Sequence, residues 1–129
     1  MKENKISIEI NCPISEVFEF TLNPKNTPLW IDNIVSEQTN EWPVKLGTKY
    51  KNANGGKWSE YTVIQFEPNK LFEMKQSNSL YHVHYTFKKI SDKKTKLTYF
   101  EWVEKGELED PFCLAFLEKL KRVMERGRS

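Results

Sequence analysis

The sequence predicts an α+β domain in which a curved antiparallel sheet wraps around a long C-terminal helix. Three observations lead to this prediction: alternating strands fill the chain from about Lys45 onward, a proline-punctuated helical segment follows the first strand, and an amphipathic helix closes the chain. A sheet curved around a helix tends to leave a hollow between the two, and hollows bind small molecules. The 129 residues suffice for one domain with its own core.

The composition limits the expected partners and location. The 20 basic and 18 acidic side chains are spread along the chain and leave a net charge of +2, so nucleic acid is not a predicted partner. The sequence has no apolar run of signal-peptide or membrane-spanning length, which predicts a soluble, cytoplasmic protein without a transmembrane segment. In that reducing compartment Cys12 and Cys113 are interpreted as thiols rather than as a disulfide.

The N-terminal part predicts one strand and two short helices. Three isoleucines alternate with polar residues over 6–10, which is the period of a strand with one buried face. Pro13 ends that strand and favours a helix that continues to Asn23. Two further prolines before Trp30 leave room for one or two helical turns ahead of a second strand near 33–39.

The segment from Lys45 predicts a meander of further strands. Their expected bounds are 47–52, 57–67, 70–77, 80–90 and 96–104. Turn-forming residues, such as the Asn-Gly-Gly run at 54–56, separate them. Connections this short require neighbouring strands to be antiparallel.

The C-terminal helix is predicted over Asp110–Arg126. Asp110 offers an N-cap and Pro111 suits the first helical position. Apolar residues at spacings of three and four then form one stripe: Phe112, Cys113, Phe116, Leu117, Leu120, Val123 and Met124. The basic residues of its second half are interpreted as a solvated face, with an anionic partner or membrane surface as the alternative.

These elements together resemble the SRPBCC superfamily, also called the START-like or Bet v 1-like helix-grip fold, and in particular its bacterial polyketide cyclase/dehydrase and lipid-transport branch. The matching segments cover nearly the whole chain: IEINCPISEVF at 8–18, Asn-Pro at 23–24 ahead of Trp30, VIQFEPNKL at 63–71, YTF at 85–87 and TKLT at 95–98.

The resemblance implies a seven-stranded curved antiparallel sheet around the C-terminal helix, two short helices between strands one and two, and an apolar cavity inside. We expect one such domain over residues 1–129. The resemblance does not imply one activity, because the superfamily includes lipid carriers, aromatase/cyclases and chaperone activators.

Successive side chains of a strand point to opposite faces of the sheet. An inner face can therefore be assigned to each strand if the more apolar set of alternating residues lies inside, as in the resembled family. The expected inner sets are Tyr81, Val83, Tyr85 and Phe87 in 80–90; Trp58, Glu60, Thr62, Ile64 and Phe66 in 57–67; and Phe72, Met74 and Gln76 in 70–77.

The last strand is ambiguous by pattern alone. The resemblance places Leu97 and Tyr99 inward, which carries Glu101 into the cavity and leaves Phe100 and Trp102 on the outer surface. A carboxylate inside an apolar hollow is a candidate acid, base or ligand anchor. The plainer interpretation is a Glu101 near the cavity mouth, solvated or tied to a basic side chain. The two outer aromatics would support a homodimer.

The sequence predicts neither a metal site nor a covalent catalytic mechanism. His82 and His84 project to one side of their strand, but two ligands without a neighbouring cysteine or carboxylate cluster do not predict a metal site. No nucleophile elbow or glycine-rich phosphate loop occurs, and no cofactor is predicted.

The sequence therefore predicts a module that binds a small apolar, aromatic or lipid-like molecule. The expected cavity residues are Trp30, Trp58, Glu60, Phe66, Phe72, Met74, Val83, Tyr85, Phe87, Tyr99, Glu101, Phe116 and Leu120. One alternative is an enzyme of the cyclase/dehydrase type with Glu101 as its catalytic candidate. The other is a protein-interaction module of the chaperone-activator type that uses the outer aromatics.

Overall fold

The computed structural model of the chain describes residues 1–126, and within them the chain forms one sheet and three helices. The strands are β1 Glu3–Ile10, β2 Ser36–Thr39, β3 Lys49–Asn54, β4 Lys57–Glu67, β5 Leu71–Gln76, β6 Tyr81–Ser91 and β7 Lys94–Val103. The helices are α1 Ile14–Leu22, α2 Thr27–Trp30 and α3 Leu114–Glu125.

The seven strands form one antiparallel sheet in the order β1-β7-β6-β5-β4-β3-β2. Strands β2 to β7 are a meander, and β1 pairs with β7 at the far edge. Helix α3 packs against β1 and α2. This is the predicted α+β helix-grip fold, and the prediction is confirmed.

The core fills one part of the space between sheet and helices. Phe18 of α1 contacts the rings of Phe66, Phe72 and Phe87 at centroid distances of 5.0 to 5.9 Å. Edge-to-face contacts of this kind add to the free energy of burying the rings. Leu117 and Leu120 bury the apolar face of α3, and Trp30 is 1% exposed. These side chains hold α1, α2 and α3 against the sheet.

The inner face predicted for β4 was wrong over most of the strand. Val63, which was predicted to face outward, is 1% exposed, whereas Trp58 is 57% and Ile64 is 39% exposed. The cause is a β-bulge between Val63 and Gln65, because an extra residue reverses the alternation of side chains. Phe66 lies beyond the bulge and faces inward as predicted, but the four residues predicted inward before it face outward: Trp58, Glu60, Thr62 and Ile64.

The predicted start of the last helix was also wrong. Helix α3 begins at Leu114 rather than near Asp110, and Cys113 is an exposed N-cap rather than part of the buried stripe. Residues 110–113 are held out of the helix by tertiary contacts at Phe112. Its backbone N–H donates to Glu101, and its carbonyl accepts from Asn4 Nδ2 at 2.9 Å. Tertiary contacts thus override the Asp-Pro helix signal.

Strand β7 has the orientation that was predicted. Leu97, Tyr99 and Glu101 face inward and are 0%, 4% and 1% exposed. Phe100 and Trp102 face outward, although each is partly buried. The Trp102 ring stacks on His82 at a centroid distance of 4.0 Å, so the outer aromatic surface is smaller than the sequence suggests.

The outer face also carries a network of polar side chains around His82 and Glu73. His82 bonds Glu73 through Nδ1 at 3.0 Å and Glu104 through Nε2 at 2.7 Å. His84 Nδ1 lies 2.8 Å from the other oxygen of Glu73. The two histidines therefore bind neighbouring carboxylates, and within residues 1–126 no group of three or more His, Cys, Asp or Glu side chains is arranged to hold a metal ion.

Candidate functional site

A hollow of about 730 Å³ lies between the inner face of the sheet and α3. Its floor is formed by β3 to β7, and Phe116 of α3 contributes to its roof. Side chains of α2, β2 and the segment 107–113 complete its wall. Ligand pockets commonly enclose about 300 to 1,000 Å³, so this space, called the hollow below, has the size of a small-molecule site.

The predicted cavity residues divide into three groups in the structure. Seven line the hollow: Phe72, Met74, Val83, Tyr85, Tyr99, Glu101 and Phe116. Four pack into the adjoining core instead: Trp30, Phe66, Phe87 and Leu120. Trp58 and Glu60 belong to the misassigned face of β4 and line a shallow depression beside Gln38 and Lys51.

All five tyrosines of the chain line the hollow. The Tyr50 hydroxyl donates to the Leu22 carbonyl at 2.5 Å, and the Tyr81 hydroxyl lies 3.5 Å from that of Tyr99. Burial raises the pKa of every one of these phenols, to about 12 for Tyr61. The tyrosines therefore stay protonated and can donate hydrogen bonds at neutral pH.

Glu101 lies at the inner end of the hollow with both oxygens engaged. Oε1 accepts a hydrogen bond from the Tyr81 hydroxyl at 2.6 Å. Oε2 accepts from Asn4 Nδ2 at 2.8 Å and from the backbone N–H of Phe112. The sequence correctly predicted that Glu101 faces inward. Glu101 is 1% exposed and its three donors are neutral, so among residues 1–126 it is neither solvated nor tied to a basic side chain.

Glu37 is a second interior carboxylate, and the sequence did not reveal it. It lies on β2, where Oε1 accepts from the Thr27 hydroxyl at 2.5 Å and Oε2 from Asn52 Nδ2 at 3.4 Å. Burial raises its pKa from 4.5 to about 7, although the two hydrogen bonds partly oppose the shift. Glu37 thus changes charge near neutral pH while it faces the hollow.

The reason that Glu37 was missed lies in its strand. The four residues of β2 are all polar, so they show no alternation that marks an inner face. A signal does exist in β3, where Tyr50 and Asn52 are two residues apart and share one face. Asn52 pairs directly with Glu37, but that register depends on the folded sheet and could not be derived from the sequence.

Aromatic rings connect the hollow to the core. Phe72 stacks on Tyr85 at 4.5 Å, and Tyr85 meets Tyr99 edge to face at 5.2 Å. Phe112 stacks on Tyr99 at 4.0 Å and contacts Phe116 at 5.0 Å. Packed aromatic rings therefore form part of the wall, beside polar side chains such as Asn52, Ser59 and Gln76, and they give a guest large contact areas at little cost in side-chain entropy.

The chain folds as a helix-grip domain with an interior hollow that is partly lined by aromatic rings. The chain belongs to the family described as polyketide cyclase/dehydrase and lipid transport, whose model matches residues 1–127. No curated protein matches the chain. In the described part of the chain, no helix has the length and apolar character needed to cross a membrane.

Solved structures of low sequence identity share this fold. The Aha1 dimer from Colwellia psychrerythraea is 13% identical, with all of both chains covered and a TM-score of 0.71. A START superfamily protein from Mycobacterium smegmatis is 11% identical, with 97% of this chain and 93% of that chain covered and a TM-score of 0.71. The di-domain aromatase/cyclase BexL of the BE-7585A biosynthetic pathway is 18% identical, with 98% of this chain but 43% of its own covered and a TM-score of 0.67.

Proposed function

We propose that this protein binds a small apolar or aromatic molecule in the hollow. The observation that carries the proposal is the combination of volume and lining. A space of about 730 Å³ is lined in part by aromatic rings, among them phenols that stay protonated. The apolar walls would supply affinity, and a few fixed hydroxyls and carboxylates would orient the guest. Family membership supports this class of function without naming a ligand.

The direct test uses N-phenylnaphthylamine, an uncharged dye whose fluorescence rises in apolar surroundings. We expect saturable fluorescence with the wild-type protein. Val83→Phe places a ring in the hollow from β6 and should weaken binding by about tenfold or more. Thr86→Phe adds the same ring at an exposed position of β6 that does not line the hollow, so it is the matched control.

A second variant that also fills the hollow keeps the test valid if Val83→Phe does not fold. Gln76→Phe enters the hollow from β5, where Gln76 is only partly buried. Equal dye affinity in wild-type, Val83→Phe and Gln76→Phe protein would contradict the proposal. Native mass spectrometry of gently purified protein gives an independent measure, since a retained guest would add a discrete mass.

A cyclase/dehydrase activity is the second candidate, and it is favoured by the family rather than by the geometry. Proton transfer by Glu101 needs an oxygen free to meet the substrate, and both oxygens already accept hydrogen bonds. This arrangement supports a role for Glu101 in fixing the wall and orienting a guest. In the enzyme alternative, Glu101→Gln should abolish turnover, whereas in a carrier it should only change affinity.

The remaining partner predictions stay proposals. A homodimer through Phe100 and Trp102 would need their partly buried rings to contact a second chain. Size-exclusion chromatography of wild-type protein and Trp102→Ala tests this, because loss of a dimer in the variant would support the interface. A cytoplasmic location agrees with two cysteines that are thiols.

A further inference from the structure

The charged side chains that line the hollow all have the same sign. They are Glu37, Glu101, Glu107, Glu109 and Asp110, and within residues 1–126 no lysine, arginine or histidine lines the hollow. The chain as a whole has a net charge of +2, so its composition does not explain this lining. Glu107 is paired with the N-terminal ammonium of Met1, and the remaining carboxylates of the lining favour cationic over anionic guests.

Glu37 and Glu101 differ from the other three, because Glu101 is buried and Glu37 is partly buried, whereas Glu107, Glu109 and Asp110 are exposed. Glu101 accepts hydrogen bonds from Asn4, Tyr81 and a backbone amide, and Glu37 accepts them from Thr27 and Asn52. All of these donors are neutral. The two carboxylates lie on β2 and β7, which are separated by four strands. A largely enclosed carboxylate without a cation is costly, and a positively charged guest would supply the missing partner to Glu37, which accepts only two hydrogen bonds.

Tyrosine rings surround the same space. Tyr61 lines the hollow together with both carboxylates, and burial, followed by the charges of Glu37 and Glu101, raises its pKa to about 12. The Tyr61 and Tyr81 rings meet edge to face at 6.4 Å. Aromatic faces attract ammonium groups, most strongly where water is excluded. Rings and carboxylates together are therefore suited to an organic cation.

We propose that the guest of the hollow is an organic cation, an apolar or aromatic molecule that carries a protonated or quaternary amine. Its charge faces Glu37 beside the tyrosine rings, and its apolar body packs on Phe72, Met74 and Phe116. This inference rests on the proposed binding function and narrows the ligand class of the same site.

The test compares three probes of nearly equal shape that displace N-phenylnaphthylamine. Trimethylnaphthylammonium is the cation, tert-butylnaphthalene is its neutral isostere, and naphthalenesulfonate is the anion. We expect the cation to bind at least about tenfold more tightly than the neutral isostere, and the anion to bind most weakly. This comparison uses wild-type protein and does not depend on the folding of a variant.

Two variants then test whether the preference for the cation over its neutral isostere comes from the carboxylate of Glu37. Glu37→Gln keeps the shape and its hydrogen-bonding partners, and it should reduce the cation preference several-fold while affinity for tert-butylnaphthalene stays unchanged. Glu67→Gln removes a carboxylate at the exposed end of β4, outside the hollow, and should leave the preference intact.

The outcomes separate the two proposals. If dye and tert-butylnaphthalene bind but the cation binds no better, or the anion binds best, the cation inference is overturned and the binding function stands. If neither the dye nor any probe binds, the binding function itself fails and the inference fails with it. An equal loss of preference in Glu37→Gln and Glu67→Gln would also contradict the inference, because it would indicate a general effect of net charge.

Discussion

The hydroxyl of Tyr81 donates a 2.6 Å hydrogen bond to Oε1 of Glu101. This bond joins β6 to β7 across the floor of the hollow and supplies one of the three donors that stabilise a carboxylate with 1% exposure. Because Tyr81 and Glu101 both line the hollow, the same contact contributes to the stability of the fold and to the shape of the site.

Removal of that hydroxyl should destabilise the protein measurably. We expect Tyr81→Phe to lower the free energy of unfolding by about 1.5–3 kcal/mol, because it leaves one oxygen of a buried charged group without its donor. Chemical denaturation measures the loss. Tyr99→Phe is the matched control, since its hydroxyl makes one contact of 3.5 Å and should cost about 0.5 kcal/mol. Equal losses would contradict the assigned role of the Tyr81 bond.

Glu37 should make stability depend on pH. Its pKa is raised from 4.5 to about 7 in the fold, so the folded state retains a proton that the unfolded chain has released. The free energy of unfolding should therefore fall as pH rises from about 4.5 to about 7 and then level off. The titratable groups that face Glu37 stay protonated over this range: Tyr50, Tyr61 and Tyr85.

The variant Glu37→Gln isolates the contribution of Glu37 ionisation to the free energy of unfolding, because the amide cannot ionise. The difference in unfolding free energy between wild-type and Glu37→Gln protein, measured by denaturation at several pH values, should decline over the same window. A difference that is constant from pH 4.5 to 7 would contradict a raised pKa at Glu37.

Two leucines on α3 should differ sharply in their effect on stability. Leu120 is 0% exposed in the core, whereas Leu114 is 44% exposed at the start of the helix. We expect Leu120→Ala to cost about 2–5 kcal/mol because it leaves a cavity, and Leu114→Ala to cost about 0.5 kcal/mol. Thermal or chemical unfolding measures both. Similar losses would contradict the docking of α3 through its Leu120 face.

The two thiols should react at very different rates. Cys113 is exposed at the N-cap of α3, whereas Cys12 is 0% exposed. We therefore expect a thiol reagent such as iodoacetamide to modify one group quickly and the second only after denaturation. Cys113→Ser should remove the fast reaction, and its persistence in that variant would contradict the position assigned to the start of α3.

The strands and the long helix were predictable because their patterns are regular. Period two at β1, β6 and β7, and an apolar stripe through Phe116 and Leu120, reflect faces that point toward the interior of the fold. These patterns also gave the correct orientation of Glu101, once the resemblance had chosen between the two faces of β7.

The unpredicted parts of the hollow depend on tertiary structure. The bulge after Val63 reverses the alternation of β4 without a local signature, and so Tyr61 rather than Glu60 lines the hollow. The contacts of Phe112 with Glu101 and Tyr99 delay the start of α3. Contacts of this kind join residues far apart in the chain, so local propensity does not reveal them.

The central claim, that the hollow binds a guest, is tested most directly by amide NMR during titration with N-phenylnaphthylamine. The account predicts saturable shifts at Val83, Tyr85 and Phe116, which line the hollow, and unchanged signals at Trp58 and Thr86, which lie outside it. Absence of shifts, or the largest shifts at Trp58, would contradict it.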